Sequence, residues 1–343
     1  MIAIDSGVMS SAVDVSGFEE ATAGLRPELL AHCYRLLGSI QEAEDQVQET
    51  YLRAWRAFHR FEGRASVRTW MYRIATNTCM NARRDGARRP LPTGLGQPAA
   101  NPRADLVEDR EQRWLEPLPD AVLWTKPPED PAELAAARQG VQVAWVAAIQ
   151  HLPPRQRAVL VLRDVLAFSA AETATSLGCS VAAANSALQR ARATVGQVSQ
   201  AVSRAAAGSE LSAQDQRTYT EFLAAFDAYD IPAVVNLLAE QATWQMPPFT
   251  GWYRGPKDIA DLITTHCPAS SSADLRMLPV VVNGQPGAGM YLRQETGGYD
   301  PFQFLALDIS AGRITAVTGW FEAEYFTRAQ LPAHLPKSGP ARS

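Results

Sequence analysis

SVRTWMYRIATNTCMNARR, residues 66–84, sets one tryptophan, one tyrosine and two methionines among four arginines, with no acidic residue in the stretch. At the helical period, Val67, Trp70, Met71, Ile74, Ala75 and Thr78 share one face. Arg68, Thr69, Tyr72, Arg73, Thr76, Met80 and Arg83 share the other, with Trp70 at the boundary. The spacing predicts an amphipathic helix to about Arg84, and Ser66 is placed to cap it. A face meant for water alone would mix its charges. This one combines guanidinium groups, hydroxyls, an aromatic ring and a thioether. Guanidinium groups neutralise phosphates and aromatic faces stack on unpaired bases, so the face suits single-stranded or opening DNA. An ordinary solvated, arginine-rich helix is the competing reading, and the helix alone does not separate the two.

The flanking charge is suggestive. From residue 19 to residue 49 there are seven acids against Arg26 and Arg35, a balance of −5; from residue 53 to residue 89 there are ten arginines against Glu62 and Asp85, a balance of +8. Adjacent blocks of opposite sign, inside a 343-residue chain of net charge −4, predict one face for a basic protein and another for a polyanion. The block from Leu25 to Arg89 is helical by pattern, with Gly38-Ser39 as a break and HRFEGRAS as a loop.

EAEDQVQETYLRAW (42–55) followed by FEGRASVRTWMYRIATNTCMNARR resembles the promoter-melting domain of extracytoplasmic-function sigma factors. The resemblance implies that the acidic helix binds the β′ clamp helices of RNA polymerase, with Asp45, Gln48, Glu49, Leu52 and Trp55 matching its pattern. It also implies that the following loop and helix receive the −10 element and hold flipped-out bases. Carried onto this chain, that role falls on Phe61, Arg64, Ser66, Thr69, Tyr72, Arg73, Asn77 and Asn81, with Arg83 and Arg84 on phosphates.

A second helical block, LPPRQRAVLVLRDVLAFSAAETATSLGCSVAAANSALQRARATV, reads as helix-turn-helix. Pro153-Pro154 opens a helix to about Leu166, SAAE is a capping box, Gly178 suits a left-handed turn and Ser180 an N-cap. Taken alone, such a block often packs only against itself. Its order after the first block resembles the −35-reading domain of the same family, whose polymerase partner is the β flap. The candidate DNA contacts are Arg155, Ser180, Asn185, Ser186, Gln189, Arg190 and Arg192. The start of the recognition helix, VAAANSA, carries no charge, so base readout would rest on Asn185, Ser186 and Gln189.

Between the blocks lies a linker, residues 90–132, that holds nine of the 23 prolines and excludes a long helix or a packed sheet. By the resemblance it threads the polymerase channel. WLEPLPDAVLW (114–124) gives it two tryptophans, Trp114 and Trp124, and such a segment is expected to dock on a surface. A loosely packed linker patch is the bland alternative.

From Ser212 one amphipathic helix and then strand-like runs (LRMLPVVVN, GMYLRQE, FQFLALDIS, RITAVTGWFE) predict an α+β domain. FLAAFDAYDIPAVVNLLAEQATWQMPPFTGWYRGPKDIADLI resembles the cone-shaped SnoaL-like fold. Trp244, Met246, Trp252, Tyr253, Tyr291, Phe304 and Trp320 suit core packing better than a pocket lining. With His266 at a helix end, His334 in the tail and Asp308 of uncertain facing, no acid–base pair can be assembled. NGQPGAG (283–289) is flanked by strands, so it reads as a hairpin or docking loop rather than a phosphate cradle. The domain is expected to act in cis, using the loop with Asn283, Gly284, Gln285 and Pro286 together with the linker around Trp114 and Trp124 to hold the two DNA-binding modules in a compact arrangement.

The fold expected is therefore multidomain: two all-α helical domains (18–89 and 133–206) around the linker 90–132, an α+β SnoaL-like domain (212–330) and a disordered tail (331–343). The function expected is an alternative sigma factor working with core RNA polymerase and promoter DNA. The alternative is a SnoaL-like isomerase or cyclase fused to a DNA-binding module. No enzyme activity, cofactor, metal or membrane partner is expected, and a small ligand for the third domain is left open. Four scattered cysteines with no CxxC pair, and an N-terminus without a basic start and apolar block, fit a cytoplasmic location.

Overall fold

In a computed structural model, residues 17–82, 88–124, 130, 134, 138–198 and 211–336 are described. They form two compact units, one drawn from Met1–Arg88 with Gln139–Ala206, the other from Arg89–Arg138 with Ala207–Ser343. Both helical modules thus belong to one unit, and the linker belongs with the C-terminal domain, a division that the linear order of segments does not reveal.

The first module packs helices Leu25–Leu37, Ile40–Ala57 and Val67–Ala82. Gly38 ends the first at φ 71°, and Ser39 caps the second by accepting from the Glu42 N–H. Ser66 accepts from the Thr69 N–H at 3.1 Å and starts the third. Leu29, Leu30, Tyr34, Leu37, Val47 and Met71 fill the core. The second module runs Val143–Gln150, Pro154–Leu160, Ala170–Ser176 and Val181–Val198. The helix from Pro154 continues through a π-helical turn, Val161–Val165, which absorbs one extra residue before the corner. Ser169 and Glu172 form the reciprocal capping box, Gly178 turns at φ 58°, and Ser180 accepts from the Ala183 N–H.

The C-terminal domain has helices Ala213–Asp227, Ile231–Leu237, Pro256–His266 and Glu324–Arg328. They accompany a six-stranded sheet: β1 (Leu238–Gln245), β2 (Trp252–Arg254), β3 (Leu275–Val282), β4 (Gln285–Arg293), β5 (Tyr299–Ser310) and β6 (Arg313–Trp320). The strand order is β2-β1-β6-β5-β4-β3, antiparallel except where β1 pairs with β6. Helices and sheet close on Phe222, Phe226, Val234, Ile259, Leu305 and Leu307. β3 and β4 turn through Asn283-Gly284, at φ 56° and 65°, the two-residue hairpin turn that Asn-Gly favours. So 283–289 is a hairpin, with Gly287 and Gly289 already within β4.

The tail differs from its expectation over residues 331–336. Leu335 exchanges both backbone hydrogen bonds with Tyr299, Tyr291 donates its hydroxyl to the Pro332 carbonyl, and His334 pairs with Asp300. These contacts make an isolated antiparallel bridge to the first residue of β5; the rest of the tail lies outside the described residues. No helix among the described residues is long and apolar enough to cross a membrane.

Candidate functional site

Helix Ile40–Ala57 turns Ile40, Ala43, Val47, Thr50 and Ala54 inward, which leaves Asp45, Gln48, Glu49, Leu52 and Trp55 on its outer side. Leu52 is 49% exposed and Trp55 50%, large apolar side chains held in water beside acids. Glu49 pairs with Arg53 one turn on, at 2.6 Å.

Helix Val67–Ala82 departs from the simple wheel. Arg73 and Asn81 are exposed, as are Arg64 and Ser66 before and at its cap; Phe61 and Thr69 are half-buried. Phe61 lies against Trp70, ring centroids 5.0 Å apart. Tyr72 and Thr76, expected on the open face, are buried at 1% and 0%. The Tyr72 hydroxyl donates to Glu28, Arg68 lies over its ring, and the rings of His32 and Phe168 meet it edge-on. Burial, then the Glu28 charge, push the Tyr72 phenol well above its ordinary pKa. This face is therefore covered partly by the helix Leu25–Leu37, through Glu28 and His32, and partly, across a seam, by the second module, through Phe168. Arg83 and Arg84, assigned to phosphates by the sequence, lie outside the described residues.

That seam is polar as well as aromatic. Arg157, buried, donates to the Leu36 carbonyl of the first module at 2.5 Å and to Ile149, Gln150 and Leu152 of its own. Arg35 donates to the Gln139 carbonyl at 2.6 Å, and burial lowers its pKa to about 10. Asn77, assigned to DNA by sequence, gives its side-chain N–H to the Ser176 carbonyl at 3.3 Å. An arginine satisfied by carbonyls leaves no charge pattern in sequence; its only mark was its place before the apolar run AVLVL.

In the helix Val181–Val198, Asn185, Ser186, Gln189 and Arg190 are exposed together, with Ser180 at the cap and Arg155 exposed on the helix Pro154–Leu160. Arg192 is exposed but held by Asp164 through bonds of 2.6 and 3.0 Å.

In the second unit, Asn283 and Leu118 grip each other twice. The Asn283 N–H donates to the Leu118 carbonyl at 2.7 Å, and the Leu118 N–H donates to Asn283 Oδ1 at 2.8 Å. The Gly284 N–H donates to Asp120, whose other oxygen accepts from Arg138. Burial raises the Asp120 pKa, against the pull of Arg138. Trp320 donates its indole N–H to the Leu115 carbonyl, and Trp252 to that of Gln97. Leu115, Leu118 and Leu123 are buried. Of the expected contact residues, Asn283 and Gly284 touch the linker directly. Gln285 turns to Leu307 and Asp308, Trp114 bonds the Asp109 carbonyl, and Trp124 is half-buried. The sequence reading missed the leucines between the two tryptophans as the anchors.

A cavity of about 850 Å³ opens in the C-terminal domain. Trp244 and Met246 line it, whereas Trp252, Tyr253, Tyr291, Phe304 and Trp320 are buried elsewhere in the fold. His266 lines it too and bonds the Pro102 carbonyl.

The chain matches the descriptions Sigma-70 region 2 over residues 23–89, Sigma-70 region 4 over 142–195 and SnoaL-like domain over 219–317. ECF RNA polymerase sigma factor SigG of Mycobacterium tuberculosis is 49% identical over 322 residues, which cover 93% of this chain and 85% of that protein. ECF RNA polymerase sigma factor SigJ of the same organism is 27% identical over 332 residues, covering 93% and 95%. The crystal structure of SigJ aligns with a TM-score of 0.59 at 24% identity, over 93% of this chain and 100% of that one, a likeness of fold.

Proposed function

Because the chain belongs to the extracytoplasmic-function sigma factors of RNA polymerase, we propose that its C-terminal domain regulates initiation in cis by holding the linker between the two DNA-binding modules. The same reading assigns Asp45, Gln48, Glu49, Leu52 and Trp55 to core polymerase at the β′ clamp helices. The −10 element falls to the exposed groups of 61–81, and the −35 element to Asn185, Ser186, Gln189 and Arg190. The β flap is the expected partner of the second helical module.

The observation that carries the regulatory part is the double hydrogen bond between Asn283 and Leu118. A linker that must span the polymerase has to leave this clamp. Leaving it exposes Leu115, Leu118 and Leu123, each worth roughly 1.5–3 kcal/mol of burial, and strands Asp120 and Arg138. A clamp of that strength can bias a two-state equilibrium by a hundredfold or more, on the order of 3 kcal/mol.

Asn283→Ala removes one clamp bond and puts a non-Asn residue at positive φ, which together cost about 1–2 kcal/mol. Run-off transcription with purified core enzyme should rise several-fold, and more in a chain stopped near Gly208. Unchanged output from several promoters, with the linker shown by trypsin to be released, would mean the domain is a passenger.

A further inference from the structure

The cavity in the C-terminal domain is not walled by that domain alone. Eight of its twenty-four lining residues come from the segment 89–116, among them Leu106, Arg110, Arg113 and Trp114 of the linker. A molecule held inside would therefore touch the same segment that the Asn283 clamp holds.

Its chemistry can be read from the lining. The floor is apolar: Phe226, Met246, Leu262, Ile263, Met290 and Phe302. The lining carries three arginines (89, 110, 113) and three glutamates (108, 116, 322), so formal charge cancels; Arg89 pairs with Glu116 at 3.2 Å and Arg110 with Glu108 at 2.6 Å. The lining thus offers no net charge to attract an ion, and two of its three arginines are already paired with its glutamates. In the wall, Trp244 Nε1 and Gln303 Nε2 are buried donors without a hydrogen-bond partner, on side chains only 2% and 4% exposed. Buried donors are nearly always satisfied, and leaving one open is costly. Two such donors on residues that line one cavity mark places for an acceptor that the chain itself does not supply.

We propose that this cavity binds an uncharged, largely apolar small molecule bearing a hydrogen-bond-accepting oxygen, and that its occupancy is read by the linker. The oxygen takes the N–H groups of Trp244 and Gln303; the body fills the apolar floor; the far side meets Leu106 and Trp114. Binding that requires the linker in place stabilises the docked linker by the same free energy, because coupling between two sites is reciprocal. The proposal rests on the cis-regulatory reading for its consequence, but not for the binding itself.

The test uses the full chain and 6-propionyl-2-(dimethylamino)naphthalene, an uncharged aromatic ketone whose emission reports both polarity and hydrogen bonding at its carbonyl. The expected result is saturable binding with a blue-shifted emission. Gln303→Leu and Trp244→Phe remove one donor each and leave an apolar side chain at each position, Phe being the smaller of its pair. Together they should weaken the ketone about ten-fold or more, while binding of anthracene, which has no oxygen, stays within about two-fold. Retained anthracene binding shows that the variant cavity is intact. If it is lost, Gln303→Leu alone, a change at one strand position, is judged by the same pair of ligands. No saturable ketone binding, or equal loss for both ligands in that single variant, overturns the site. Coupling is read separately: bound ketone should slow tryptic cleavage at Arg110 and Arg113 several-fold, and an unchanged rate overturns the linker readout. If Asn283→Ala alters transcription while the ketone does not bind, the regulatory reading survives and the ligand site does not.

Discussion

Phe168→Leu tests whether the seam between the two helical modules opens when polymerase binds. Phe168 meets Tyr72 edge-on, with ring centroids 5.8 Å apart and planes at 78°. Leucine preserves most of the apolar volume that Phe168 gives its own module, at a cost below ~1.5 kcal/mol. It removes the aromatic edge contact across the seam, worth about 0.5–1.5 kcal/mol beyond area. The Arg157, Arg35 and Asn77 bonds to backbone carbonyls remain, so the unit should still close, but less firmly. If closure opposes polymerase, core affinity should rise by about two- to twelve-fold, the same free energy read as a binding constant. The assay is a fluorescence titration of labelled sigma with core enzyme, with thermal melting by circular dichroism as the check on folding. Tyr72→Leu should raise affinity as well. The double variant should gain less than the sum, because both changes remove one contact. A Phe168→Leu protein that melts normally and binds core within the error of the parent would refute the reasoning: the seam would then be irrelevant to holoenzyme formation.

Other outcomes follow from the same geometry. His32 is buried with its Nε2–H donating to Thr76, whose own hydroxyl donates to the Tyr72 carbonyl, and burial lowers its pKa to about 3. The folded state keeps the ring neutral while the unfolded chain takes up a proton near 6.5. Stability is therefore full above that pH and is lost as pH falls toward 3, by about 2 kcal/mol at pH 5 in urea melts. His32→Leu should flatten that dependence. Leu52→Ala with Trp55→Ala should weaken core binding strongly in pull-downs and leave the melting temperature nearly unchanged, because both side chains are half in water. Gly284 has φ 65°, and a Cβ there would lie 3.0 Å from Arg138 Cβ, so Gly284→Ala should loosen the linker and speed tryptic cleavage within 103–113.

Local signals are legible in the residues themselves. Gly38-Ser39, Ser66, the Ser169–Glu172 box, Gly178 and Asn283-Gly284 each act on backbone groups a few residues away, so their meaning is written into adjacent letters. Leu52 and Trp55, named through the family resemblance, stand outside on the helical period of 40–57, because one partner surface, the module's own core, decides which side turns inward. The same periodicity misplaced Tyr72 and Thr76, since the helix Val67–Ala82 has a second partner. Phe168 and Ser176 lie about a hundred residues along the chain, and no local period records them. Arg157 and Arg35 were unreadable for a related reason: their partners are backbone carbonyls, which every residue carries. The proline-rich linker announced that it would be neither helix nor sheet. That Leu115 and Leu118 anchor it, and that it walls a cavity whose Trp244 and Gln303 lack acceptors, was decided only when strands 120 to 200 residues away folded into place beneath it.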